Sequence, residues 1–508
     1  LLPDISGFNL NFIVKEGKRY TVNDLVIESS LINNKKKKIL LKEIHLKKEE
    51  YFNSRALDAS IKFLVEEFEL LGFNFIRVFP KIKKDKNLVN ILFSIKEGSE
   101  KYINKITIIG NTRTNDNVIR RELSLLEGDP FNKSKLTTSI SALRRLGYFQ
   151  SVNYRLDEID SNLIDIILDV KETNTGSVSF GVGYSSLNNT SFSFGLNEKN
   201  FLGEGKKVRF QADLSEKKST YNIGVTEPYF LDRHISLYGD IFNQETENTK
   251  GDIKSSSSGF GFGIGFTNES LTQSFKYKLS TSETTTSSTS TAASETGEEG
   301  IEIITSSITH SISKDTRDSY FNPTSGYNWK FSNTLAGIGG DATFYKSILN
   351  SRIYYPIDYG DYVFGFKSGA GFITAIDDKI TSSNRFFLGG KKLRGFDNRG
   401  LGPRDTGNNQ AVGGNNFYNF SFELKSSKFM PEDTGLEWLV FSDIGSIWGT
   451  DYKTNVKGFD DIEPRITSGF GLAMVTPVGP LQMIWGFPVQ SQDYDIEENF
   501  QFSIGTSF

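Results

Sequence analysis

Between Gly176 and Phe508 large apolar side chains recur at alternate positions with glycine or serine between them, and few folds accept that pattern. Val178, Phe180, Val182 and Tyr184 share one face of a strand, while Ser177, Ser179, Gly181 and Gly183 occupy the other. The run GFGFGIGF at 259–266 repeats the device with Phe260, Phe262, Ile264 and Phe266 on one side. A soluble sandwich would turn its apolar face onto a second sheet and carry charges on the face toward water. Here the second face is small and weakly polar. A closed barrel in lipid accounts for both faces, because the apolar side chains meet acyl chains and the small ones line a crowded, wet lumen. About sixteen such segments are countable, which predicts an all-β, 16-stranded antiparallel transmembrane β-barrel over residues 173–508. No run of roughly eighteen apolar residues occurs, so a membrane-spanning helix is excluded.

The connections carry a second signal. Tight junctions NFLGEG, EPYFLD, YPIDYG and TPVGP alternate with long polar stretches, among them the Ser/Thr-rich run 281–300, read as a surface loop, and the segment 376–416. Short turns on the periplasmic side and long loops outside are the habit of outer-membrane barrels. An even number of strands then puts both barrel ends on the periplasmic side.

Near Thr173 the composition changes: before it, Lys-rich segments show helical periodicity and an internal repeat. EEFELLGF before Phe73 aligns with SALRRLGY before Tyr148, and YFNS at Tyr51 with PFNK. Leu57, Ile61, Leu64, Phe68 and Leu71 fall on one helical face, as do Leu136, Ile140 and Leu143, with Gly72 and Gly147 where a left-handed helix end is needed. Each copy reads strand, helix, helix, strand, strand (β-α-α-β-β), the two copies spanning 17–97 and 98–172. The opening segment 1–16 resembles the closing strand of a still earlier copy. The lysine run Lys35–Lys38 reads as a solvated loop.

Composition removes several functions. A net charge of -4 lacks the basic footprint of a nucleic-acid binder. Only His45, His234 and His310 occur, without metal-ligand spacing, and there is no cysteine. Neither GxSxG nor a phosphate-cradling GxxxxGK[ST] motif is present. The expectation is therefore no catalytic residue, metal, cofactor or small-molecule substrate.

The long segment before the twelfth strand holds FFLGGKKLRGFDNRGLGPRD at 386–405. Its glycines permit close backbone approach and positive φ, so it can fold back into the lumen and carry Arg394 with it. LRGF (Leu393, Arg394, Gly395, Phe396) followed by GLGP, NTGS at Asn174, TRDSYFNPTSG at Thr316 and the terminal FQFSIGTSF together resemble the outer-membrane barrel assembly proteins. That family joins periplasmic POTRA domains to a surface-antigen-type β-barrel. The resemblance spans essentially the whole chain. It implies α+β POTRA repeats before the barrel, residence in the bacterial cell outer membrane with the POTRA domains in the periplasm, and contact with outer-membrane lipids and unfolded outer-membrane protein clients. It also implies acidic partners for Arg394, which fall by motif on Glu423 in SFELK and Asp443 in FSDIG. Loss of one partner is expected to cost about 1–3 kcal/mol in a lumen wet enough to soften a buried pair.

The last strand puts Phe500, Phe502, Ile504 and Phe508 on one face, with Gly505 interrupting the packing. Closure requires it to pair with Gly176–Tyr184, through Gly176, Val178, Phe180 and Val182, where small lumen residues leave little cross-strand packing. A weak seam is expected, able to accept an incoming strand by β-augmentation. The resemblance further implies docking of an accessory lipoprotein of the BamD type, with Glu127 in LLEG at the matching position. Two relatives compete on sequence: a two-partner secretion transporter and a TamA-like assembly factor.

Overall fold

The computed structural model describes residues 18–505 other than 72, 74, 98–100, 187, 248–252, 269, 287–299, 321, 378–379, 432–433, 452–453 and 477–478. The chain divides after Thr173 into two compact units.

In the first unit both repeats have the expected element order. One copy contains β1 (Thr21–Glu28), α1 (Asn34–Glu43), α2 (Ser54–Leu70), β2 (Arg77–Asp85) and β3 (Leu88–Lys96). The other contains β4 (Tyr102–Ile109), α3 (Asp116–Arg120), α4 (Lys133–Leu146), β5 (Phe149–Glu158) and β6 (Leu163–Glu172). The sheets run β1-β3-β2 and β4-β6-β5, each central strand parallel to the first and antiparallel to its hairpin partner. The FN pairs of the repeat are helix starts: Asn53 accepts from the Arg55 amide and Asn132 from the Lys135 amide, both at 2.9 Å. A second shared device was not read from the sequence. Ser60 and Ser139, both fully buried, donate back to Ala56 and Lys135 carbonyls and accept from the amides of Leu46 and Ser124, tying each helix to the loop before it.

Leu57, Leu64, Phe68, Leu136, Ile140 and Leu143 are buried, and Ile61 packs at the edge of the core. Leu71 is exposed instead, because α2 ends at Leu70 and Leu71 is its cap. Gly147 takes φ 71° at the end of α4, while Gly72 lies outside the described residues, as does the segment 1–16. Lys35–Lys38 form the start of α1 rather than a loop. Lysine is a good helix former, and Asn33 caps the turn by accepting from the Lys36 amide at 2.9 Å.

The second unit is a closed barrel of sixteen strands, each paired antiparallel with its neighbours. The first barrel strand is Gly176–Ser185 and the last is Phe500–Gly505. No helix among the described residues is long and apolar enough to cross a membrane. The outward residues are large and bare, Phe180 being 80% and Phe262 54% exposed, as a lipid-facing wall requires. The glycine face has a steric cause. A Cβ at Gly263 would sit 2.5 Å from the Tyr238 ring, and one at Gly261 would meet the Lys276 side chain, so long lumen side chains lie across the glycine stripe. Long connections 376–415, 449–464 and 491–499 leave from one end, and short turns such as 202–205 and 358–361 from the other. The Ser/Thr run is not all loop: the seventh strand, Leu271–Thr286, carries its first residues, with Thr281 opposite Ser258 and Thr286 opposite Ile253. Ladder bonds are made by backbone, so polar side chains do not end a strand that is paired on both sides.

Glu172 illustrates how the first unit is held at its last strand. Its carboxylate accepts from the amides of Arg113 (3.0 Å) and Thr114 (2.7 Å) and from the Thr112 hydroxyl (3.0 Å). Burial opposes its ionisation, but the bonds from Thr114, Arg113 and Thr112 prevail and hold the carboxyl at about 2, below its ordinary 4.5. The folded value is the lower one, so the contribution is full above pH 4.5 and is lost as pH falls toward 2. Glu172→Gln is expected to remove that acid dependence and to lower local stability by about 1–3 kcal/mol at neutral pH, read as faster amide exchange at Arg113 and Thr114.

Candidate functional site

Inside the barrel, the connection between the eleventh strand (Tyr362–Ala375) and the twelfth (Asn416–Ser426) folds back into the lumen. It is a packed object rather than a solvated loop. Ile380, Phe386, Leu388, Leu393, Phe396 and Leu401 bury against wall residues including Phe344, Ile373, Phe417 and Ile447. Burying such side chains is worth about 1.5–3 kcal/mol each, enough to draw the segment inward. The glycines supply the fit. Gly395 adopts φ 89°, and a Cβ on wall residue Gly486 would lie 2.7 Å from the Gly395 nitrogen, so loop and wall meet backbone to backbone.

This packing delivers Arg394 to two carboxylates. Its Nε and Nη2 donate to the two oxygens of Asp443 at 2.8 and 2.7 Å, and its own amide donates to Asp443 Oδ2 at 3.0 Å. Nη1 donates to Glu423 at 2.8 Å and Nη2 to the Ser421 hydroxyl at 2.9 Å. The guanidinium carbon lies 3.6 Å from the centre of the Phe441 ring. Lys367 is a second cation on Glu423, at 3.4 Å. The planar fork of arginine meets these acceptors together, which the single ammonium of lysine does not. Leu393 and Phe396, fully buried on either side, fix the motif in place.

The structure thus brings Leu393, Arg394, Gly395, Phe396, Glu423 and Asp443 into one site. Ser421, Phe441, Lys367 and Gly486 also belong to it and were not read from the sequence. The first three share strand alternation with Glu423, Asp443 or their neighbours, a usable signal once an arginine anchor is suspected. Gly486 has no such signal.

At the barrel seam, among the described residues, the last strand registers with the first over Gly183, Tyr184 and Ser185, opposite Gly505, Ile504 and Ser503. The Ser186 amide adds a bond to the Phe502 carbonyl at 3.0 Å. The residues that would continue this register, 506–508, lie outside the described residues, and Gly176, Val178, Phe180 and Val182 are registered with the second strand. Gly505 takes φ 78°, and Phe508 lies outside the described residues. Glu127 is in the first unit, remote in sequence from this site. It is half exposed, accepts from the Ile106 amide at 2.9 Å and pairs with Arg120 at 3.4 Å. The Ile106 bond first, then Arg120, hold its carboxyl below the usual range.

A closed sixteen-strand barrel with an arginine-anchored lumen loop, preceded by two POTRA folds, defines a class of membrane barrel. The chain belongs to the Omp85 superfamily, whose domain matches residues 200–508. The surface antigen variable number repeat (POTRA) matches 20–98 and 101–173. The outer membrane protein assembly factor BamA of Nitratidesulfovibrio vulgaris is 28% identical over 99% of this chain, which spans 64% of that relative's length. The crystal structure of BamA from Haemophilus ducreyi lacking POTRA domains 1-3 superposes with a TM-score of 0.84 at 23% identity, covering 96% of this chain and 99% of that one. CdiB from Acinetobacter baumannii shares the fold more distantly, with a TM-score of 0.53 at 14% identity over 97% of this chain and 90% of that one.

The side chains of Arg394 and Asp443 are 10% and 1% exposed, so loss of one partner should cost nearer 3 kcal/mol than 1. Arg394→Ala is expected to release the loop, and Arg394→Lys to restore little of the anchor. Limited proteolysis of the folded barrel should show cleavage within 386–405 rising at least tenfold in both variants; an unchanged digest would refute the anchor.

Proposed function

We propose that this chain acts as an outer-membrane protein assembly factor. In this reading its POTRA domains lie in the periplasm and receive unfolded β-barrel clients, and its barrel inserts them into the outer membrane at the seam between first and last strands. The observation that carries the reading is the seam itself, where among the described residues the last strand registers with the first over three pairs and with its other neighbour over five. In hydrocarbon an unpaired backbone N–H or C=O costs several kcal/mol, so wherever the first and last strands part a client strand gains by pairing with the freed edge. An incoming edge can pair with Gly176–Val182 by β-augmentation, and successive strands follow the template. Strand exchange of this kind needs no nucleotide and no catalytic group, so we assign the chain no enzymatic step.

The sequence relatedness to an assembly factor along nearly the whole chain supports the same reading. Outer-membrane lipids meet the outward Phe, Val and Ile side chains. An accessory lipoprotein of the BamD type would dock on the first unit near Glu127, beside Leu126, which is 67% exposed. Export of a secreted partner through the pore, as in two-partner secretion, is the second reading; the lower likeness to CdiB makes it the weaker one. A TamA-like role differs from the first in its clients rather than in its physics.

Tyr184 and Ile504 face each other in the seam register, and the chain has no cysteine of its own. The double variant Tyr184→Cys, Ile504→Cys, reconstituted in liposomes with an unfolded barrel client, is expected to accelerate client folding when reduced and to lose that acceleration when oxidised. Continued insertion by the oxidised form would rule out the seam as the route, and ion conductance or export without client folding would favour a transporter.

A further inference from the structure

Among the described residues the last strand makes five pairs with the fifteenth strand (Gly479–Gln490) and three with the first. A third hold comes from inside. Gly395 and Phe396 pair as a two-residue strand with Glu498 and Glu497, immediately before the last strand begins. The Asp397 amide donates to the Ile496 carbonyl at 3.0 Å, and the Ile496 amide to the Gly400 carbonyl at 2.9 Å. Within the strand, Gln501, buried on the lumen face, donates its side-chain amide to the Phe396 carbonyl at 3.1 Å.

The motif therefore has two grips. The Arg394 side chain holds the loop to Glu423 and Asp443, and the backbone of the next two residues holds the start of the last strand. The Gly395 and Gly486 backbones lie too close for a side chain at Gly486, which is what lets the loop reach that far. Beside this contact the lumen is open. A cavity of about 340 Å³ is bordered by Arg394 and Glu423 and also by Ser185, Ser186, Gln501 and Ser503.

We propose that Gln501 is a positioning residue through which the lumen loop keeps the last strand in register with the first, so that loosening of the loop loosens the seam. The consequence for client insertion rests on the strand-exchange reading above; the mechanical link does not. Hydrogen exchange of the whole chain in lipid nanodiscs tests it. Gln501→Met keeps the side chain's length and removes the donor. It is expected to lower protection of the Ser186 amide, which donates to the Phe502 carbonyl across the seam, about two- to tenfold, the effect of one buried hydrogen bond. The Ser421 and Asp443 amides should hold their protection.

Gly400→Ala attacks the same contact from the loop, since its Cβ would lie 2.5 Å from the Ile496 carbonyl oxygen, and should act in the same direction. Gln501→Lys returns a donor and should recover protection. Retained heat-modifiable gel mobility identifies variants with an intact barrel. Unchanged protection in both Gln501→Met and Gly400→Ala would overturn the proposal whatever the clients do. Lowered protection with client folding unaltered would uphold the link and instead defeat the strand-exchange reading.

Discussion

A peptide group in hydrocarbon has no water to bond with, and this requirement governs the second unit from end to end. It compels the strands to pair, the sheet to close and the wall to have no free edge. At one junction, between the last strand and the first, the described residues register over three pairs, and Gly505 there takes a positive φ. Phe180, Val182 and Tyr184 present a lipid-facing surface there.

The interior obeys a different rule. A charged group in a confined lumen must find partners, and Arg394 finds Asp443, Glu423, Ser421 and the face of Phe441 within one turn of the wall. The apolar core of the loop brings the arginine to the wall, and the ion pairs fix its register. Core without charge would slide, and charge without core would stay in water. A buried pair of this kind is better suited to specifying one arrangement than to adding net stability.

The organisation of the chain was largely legible from periodicity. The switch from helical to two-residue spacing near Thr173 separates the two units, and the FN and leucine repeats mark both POTRA folds. Leu71 and Lys35–Lys38 departed from expectation because helix ends depend on capping by single residues, which periodicity does not weigh. The Ser/Thr run misled for the converse reason: composition suggests loop, while a ladder asks only for backbone and a paired neighbour. At the site, the glycines and Arg394 could be read from chemical type, while Glu423 and Asp443 came by motif from the family resemblance.

What the sequence by itself determined is which faces meet lipid and lumen, how many strands there are, and which arginine enters the interior. These follow from local alternation and from chemical type. Only the tertiary structure decided which seam residues face each other, what the loop rests on and that Gln501 reaches the Phe396 carbonyl across 105 residues of chain. The acceptor in that bond is a backbone oxygen, identical in every residue, so nothing in the order of side chains announces it; folding alone brings it within reach.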